Sequence, residues 1–330
     1  MISGIWPIVI ITVSAVLVGV IYQGFKEWRE KWRLISTQKN LQEDFIRKNH
    51  KKVHWPSISC FQNLSEDFMR EFKHKICWVK ISCSQRLSES FIEEFADQLY
   101  WFEISRRQRL SEKLIRKFQH EVNWNFISEY QSLSEEFIKE FQDKVEWDRI
   151  CRYQELSEDF IREFKDKVKW YPICNYQFLS EEFLNEFQDK LYWRNISFSQ
   201  SLSEHFIKKY QDKVYWPEIS ANQKLSENFI RDFQHKVNWK EISRKQILSE
   251  DFICEFSYAV DWNEICYHQQ LSEQFIREFI TVINWTNICH KQKLSEDFIQ
   301  EFKDRVDWGK IFKHQKLSKH FKRKFQHYFK

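Results

Sequence analysis

The sequence predicts an all-α fold: an αα-hairpin solenoid of about twelve 23-residue repeats behind an N-terminal transmembrane helix. Three observations lead there. A leucine recurs every 23 residues from Leu41 to Leu317 with no insertion. A tryptophan keeps the same interval from Trp32 to Trp308. Between these markers the apolar residues fall at helical spacing. A strict period of roughly 20 to 50 residues marks an architecture in which each unit buries its apolar face against its neighbours.

The unit Leu156 to Gln177 shows why each element should form. Leu156, Phe160, Phe164 and Val168 stand at i, i+4, i+8 and i+12, one apolar helical stripe, with Ile161 beside Phe160. Ser157 is placed to cap the first backbone N–H groups. Glu158 and Asp159 fall in the first turn and Lys165 and Lys167 in the last, as the helix dipole favours. The spacing predicts a first helix over 158–167, with Glu158–Arg162 as an i,i+4 pair on its solvent side. Trp170, Ile173, Cys174 and Gln177 then repeat at i, i+3, i+4 and i+7, a second helix expected to be the shorter. Pro56, Pro172 and Pro217 lie one or two residues after a repeat tryptophan, where the first helical turn tolerates proline. A leucine-rich-repeat solenoid is the rival, with Val168 to Trp170 as its strand. It is disfavoured because helical spacing covers most of the unit and corner Gly or Asn are missing.

Composition excludes several function classes. The chain carries 52 Lys and Arg against 48 Asp and Glu, a mixed solvated surface rather than a polyanion-binding one. Gly4, Gly19 and Gly24 precede the array, so Gly309 is its only glycine. Phosphate-cradling loops need several glycines, which excludes a Walker or GxGxxG turn within the repeats. No catalytic constellation, cofactor, metal site or small-molecule substrate is expected, and the chain is not read as an enzyme.

Taken in order, residues 1–25 form the expected membrane anchor. Ile5 to Tyr22 is uncharged and mostly apolar, about 27 Å long as a helix and close to the hydrocarbon thickness. Trp6, Tyr22 and Trp28 suit interfacial belts, and no basic n-region or A-x-A cleavage site supports a secretory signal. Lys26, Arg29, Lys31 and Arg33 follow the run, and the positive-inside rule then places a single-pass protein with its array in the cytosol. Residues 26–40 are a juxtamembrane segment and entry half repeat. Residues 41–316 are the twelve repeats, opened by an atypical unit with Gln42 at the cap and Asn49 for the second Phe. Residues 317–330 are a basic capping helix with a Phe321, Phe325, Phe329 stripe and no acidic residue after Asp307. Asn63, Asn195 and Asn284 begin N-glycosylation sequons.

Residues that invite chemistry read as structural. Cys151, Cys174, Cys266 and Cys289 take the place of Ser59, Ser82, Ser105 and Ser128, a small buried position. Stacked neighbours about 8–10 Å apart are too distant for a disulfide, no CxxC is present, and free thiols fit a reducing cytosol. His50 and His54 lack an HExxH context. The recurring Gln, Gln62 to Gln315, is expected to bond backbone groups at the turn between repeats. What varies between units is the pair after the Ser/Cys position. Arg106, Arg107, Tyr130, Arg152, Tyr153, Tyr176, Phe198 and Tyr267 lie there, rich in residue types that anchor interfaces. They are the candidate protein-binding residues, expected to line the concave side of the stack. Arg106, Arg107 and Arg109 alone do not make the basic stripe that nucleic acid requires.

The unit LSEDFIREFKDKVxWxxISxxQ resembles the tandem repeats of proteins from large DNA viruses that infect amoebae, from Trp32 to Phe329. The resemblance implies a host-interaction or scaffolding role. The expected function is a membrane-tethered scaffold for a protein partner. The alternatives are a structural spacer without a specific partner and, less favoured, a nucleic-acid-binding array.

Overall fold

The computed structural model describes residues 23–328, and among these every regular element is helical. The apolar run 5–22, and with it the expected membrane anchor, lies outside the described residues, as does Phe329. Among the described residues no helix is long and apolar enough to cross a membrane.

Each repeat is a six-residue helix followed by a seven-residue helix. In the reference unit these are Glu158–Glu163 and Trp170–Tyr176. Ser157 caps the first as expected, its hydroxyl accepting from the Phe160 N–H at 3.1 Å. The expected helix over 158–167 is a correction: it stops at Glu163. Phe164 leaves helical geometry at φ −107° and ψ 26°, and its carbonyl accepts from both the Lys167 and Val168 N–H groups. That tight turn brings Val168 back to the core. It stays at negative φ, which explains how the array turns without glycine; Asn40, at φ 63°, is the only described non-glycine residue on the positive side. A second correction follows. The tryptophan helix, expected to be the shorter, is the longer of the two; shorter elements crowd to the inside of a curved stack, so the expectation that this helix lines a concave side loses its premise.

Stacking joins neighbouring units through aromatic triads. Trp170 packs on Phe183 and Phe187 of the next repeat, with ring centroids 6.2 and 5.0 Å away, and those two phenylalanines lie 4.7 Å apart. Phe183 is fully buried, and burying such a side chain stabilises by about 1.5–3 kcal/mol. Neighbouring repeats pack most extensively through successive seven-residue helices.

The chain divides into two compact units, Met1–Leu156 and Ser157–Lys330. The described part of the first begins with a helix over 23–37, so the expected juxtamembrane segment and half repeat are one continuous helix for most of their length. Its Ser36 hydroxyl accepts from the His54 N–H at 2.9 Å, as the serine of a full repeat would. Gln42 makes no side-chain cap bond. The second unit holds one continuous apolar core from Cys174 to Phe325. It ends in the helix Lys319–Lys324 and a short 3-10 turn, Gln326–Tyr328. Tyr328 stacks on Trp308 at 4.5 Å and 10°. In several internal repeats a lysine lies over the tryptophan, as Lys213 does over Trp193 at 5.7 Å and Lys190 over Trp170 at 5.5 Å. The terminal repeat thus closes its last tryptophan with a flat ring.

Candidate interaction surface

The recurring polar residues are absorbed by structure. Gln131 is buried, and its side-chain amide donates to the Ser105 carbonyl at 3.1 Å and the Gln108 carbonyl at 2.9 Å. Its Oε1 accepts from the Leu110 N–H at 2.9 Å. The glutamine therefore bonds backbone at the turn, as expected, and the turn belongs to the preceding repeat. The Ser/Cys position is a second fastening: Ser128 Oγ accepts from the Glu146 N–H at 3.0 Å. Cys174 Sγ accepts in the same way from the Tyr192 N–H at 3.4 Å, which accounts for the interchange of the two residues. Burial pushes the Cys174, Cys266 and Cys289 thiols up to about 11.

The six-residue helices present a charged ladder. Arg162 bonds Glu158 and Asp159 within its helix and Glu186 of the next repeat at 2.7 Å. The inter-repeat pair recurs at Arg47–Glu71, Arg70–Glu94 and Arg116–Glu140. The hydrogen bond to the next repeat's glutamate is the main cause that raises each of these arginines above its ordinary pKa. Glu158 Oε1 also accepts from the Ser180 N–H at 2.6 Å. The leading glutamate recurs in every repeat from Glu43 to Glu296, but the ladder is interrupted where Glu93, Asn185, Cys254 and Gln300 take the place of the arginine.

The seven-residue helices differ between repeats. In each, the Ile and Ser/Cys point inward and the next two residues point out. In the first unit Arg106 and Arg107 are exposed; Arg107 is drawn to Glu103 at 2.7 Å, and Arg106 lies 5.8 Å from the Phe126 ring. Tyr130 and Tyr153 are each about half exposed. Arg152 is half-buried, 3.7 Å from Asp148 and beside the Tyr153 ring. Arg149 and Glu129 pair between neighbouring helices. In the second unit Tyr176 and Phe198 are exposed. Tyr267 is half-buried, with Lys291 over its ring at 4.2 Å and His290 at 5.8 Å. These candidates occupy two registers: Arg106, Arg152, Phe198 and Tyr267 in one, and Arg107, Tyr130, Tyr153 and Tyr176 in the other.

The structure adds residues that the sequence reading missed. Tyr100 and Phe102 are exposed around the start of one tryptophan helix, with centroids 6.0 Å apart. Phe102 meets Phe126 of the next repeat edge-on at 4.8 Å, and Phe126 meets Tyr130 at 6.0 Å. A connected aromatic strip therefore crosses two repeats and joins a candidate residue. In the second unit Tyr171 and Tyr192 meet edge-on at 5.4 Å, and Arg194 lies over Tyr215 at 4.9 Å. The signal was present one residue either side of the repeat tryptophan, where Tyr100, Phe102, Tyr171, Tyr192 and Tyr215 all fall. Among the described residues no group of three or more His, Cys, Asp or Glu is placed to hold a metal ion.

No protein-family model, curated protein or solved structure matches the chain. The surface chemistry alone therefore carries the functional argument.

Proposed function

We propose that the chain is a membrane-tethered helical-repeat scaffold that binds a protein through the aromatic face of its tryptophan helices. The anchor is residues 5–22, and basic residues from Lys26 onward orient the array toward the cytosol. The observation that carries the reading is the connected strip Tyr100, Phe102, Phe126 and Tyr130, in which Tyr100, Phe102 and Tyr130 are exposed. Aromatic rings supply large contact area at low entropic cost, and tyrosine and arginine dominate interface hot spots. The resemblance to repeats of amoeba-infecting viruses suggests a virus–host contact as its setting. The spacer reading draws on the Arg–Glu ladder, whose charges pair neighbouring repeats with one another.

The test replaces Tyr130, Tyr153 and Tyr176 with Ala in one variant, and Phe102 and Tyr130 in another. All four side chains are exposed, so the circular-dichroism spectrum and urea midpoint should stay near those of the parent. Partner recovery in a pulldown from the natural cell should fall at least tenfold. Unchanged recovery with an intact fold would reject this face and leave the spacer reading.

A further inference from the structure

We infer that the first repeat and the helix over 23–37 form a cleft that holds the headgroup of an acidic phospholipid, an inference that rests on the membrane-tethered reading above. The cleft is open and about 900 Å³ in volume. Lys26, Arg29 and Arg33 line it from one face of the helix, at i, i+3 and i+7. Lys51 and Lys52 line it from the turn after the first six-residue helix. Glu30 is the one carboxylate among its walls. Five permanent cations against one anion is a sharp departure from a chain whose charges nearly balance.

Its walls are held together before any ligand arrives. The His54 N–H donates to Ser36 Oγ at 2.9 Å, tying the lysine-bearing turn to the helix. The Gln62 amide donates to the Ser36 and Gln38 carbonyls at 3.1 and 2.7 Å. The Lys52 ammonium lies 5.6 Å from the Trp32 ring. These bonds hold the two cation-bearing elements side by side against the repulsion of their charges, and that repulsion favours an anionic occupant.

Position selects a lipid as that occupant. The helix is described from residue 23, immediately after the apolar run ends at Tyr22. Phe25 and Trp28 are exposed on the cleft rim. Exposed aromatics interleaved with Lys and Arg just beyond an apolar span are the composition of a protein segment at headgroup level, where anionic lipid attracts basic side chains. A nucleic acid would require cations continuing along successive repeats; the places of Lys51 and Lys52 are taken by His74 and Lys75 in the next repeat but by Asp97 and Gln98 in the one after, so the run of cations stops there.

The full chain in neutral detergent is titrated with phosphatidylserine and with phosphatidylcholine, and retained lipid is read by native mass spectrometry. Phosphatidylserine should be held roughly tenfold or more over phosphatidylcholine, from the attraction of several basic groups near one headgroup. The Lys51→Ala/Lys52→Ala double variant should lose that preference, while Lys51→Arg/Lys52→Arg and a distant Lys224→Ala/Lys240→Ala pair keep it. Equal retention of the two lipids, or a preference unmoved by Lys51→Ala/Lys52→Ala, overturns the inference. Displacement of the lipid by a single-stranded oligonucleotide at lower concentration overturns it in favour of nucleic acid. Flotation with vesicles of phosphatidylcholine alone tests the anchor separately. Failure there removes the anchor, while the detergent titration, which needs no bilayer, still decides the cleft.

Discussion

Gln131 donates its side-chain amide to the backbone carbonyl of Gln108 at 2.9 Å, one full repeat earlier. The same bond links Gln223 to Gln200 and Gln246 to Gln223, at 2.8 Å each. Each glutamine thus closes the turn of the unit before it and offers its own carbonyl to the unit after. The bond sits in a buried environment, where an unmade partner is costly.

Replacing Gln131 with Ala should therefore be among the most damaging single changes. It strands the Ser105 and Gln108 carbonyls and the Leu110 N–H, at roughly 1–3 kcal/mol for each buried group left unsatisfied. The expected loss in urea unfolding is about 3 kcal/mol or more. A Gln131→Ala protein within about 0.5 kcal/mol of its parent would show that water satisfies these groups.

Deletion should obey the repeat. Removing Leu202 to Lys224 from the second unit brings Gln246 to the place of Gln223 beside Gln200 and restores the glutamine, serine and tryptophan contacts between repeats in register. The product should fold cooperatively with a smaller denaturant slope. Removing 11 residues from the same segment misplaces the glutamine, the serine and the tryptophan together. Two deletions with equal damage would point to a core that does not divide into units.

The buried thiols give a pH signature. Cys174, Cys266 and Cys289 ionise near 11 in the fold against 9.0 ordinarily, chiefly because burial disfavours the thiolate. The folded chain therefore holds protons that the unfolded chain gives up. This contribution is fully present below about pH 9 and is lost as pH rises toward 11. Replacing the three with Ser, which accepts the same kind of N–H bond in other repeats, should flatten the fall in urea midpoint between pH 8 and 10.5. An identical fall in parent and variant would assign it to lysine. At pH 8 the exposed Cys254 should alkylate in the native protein while these three resist.

Topology has a built-in reporter. Asn195 and Asn284 hold neighbouring asparagines through their side-chain amides, at 2.7 and 2.8 Å. Asn63 is exposed in the loop before a six-residue helix. With the array in the cytosol, Asn63 stays unmodified on expression in a eukaryotic cell. A glycosidase-sensitive mass increase that Asn63→Gln removes would place the array in the lumen.

The sequence by itself determined the 23-residue register, the two helices per unit, the serine caps and the buried positions. The register follows from leucine and tryptophan recurring along the chain, and the rest from signals within about a dozen residues: apolar spacing, a capping hydroxyl, a permitted proline. It did not show that the first helix would stop at Glu163, because the turn is set by Phe164 returning Val168 to a core that neighbouring repeats complete. Nor did it show the partners of Gln131, Arg162 or Trp170, which lie in neighbouring repeats. The candidate face divided in the same way. Tyr130 and Arg106 stood out by internal alignment, but their connection to Phe102 through Phe126 exists only once two helices are laid side by side. Lys51 and Lys52 are likewise an unremarkable pair of charges in the chain. They become the wall of a cationic cleft only when His54 is bonded to Ser36, because local spacing specifies which way a side chain faces and only tertiary packing specifies what it faces.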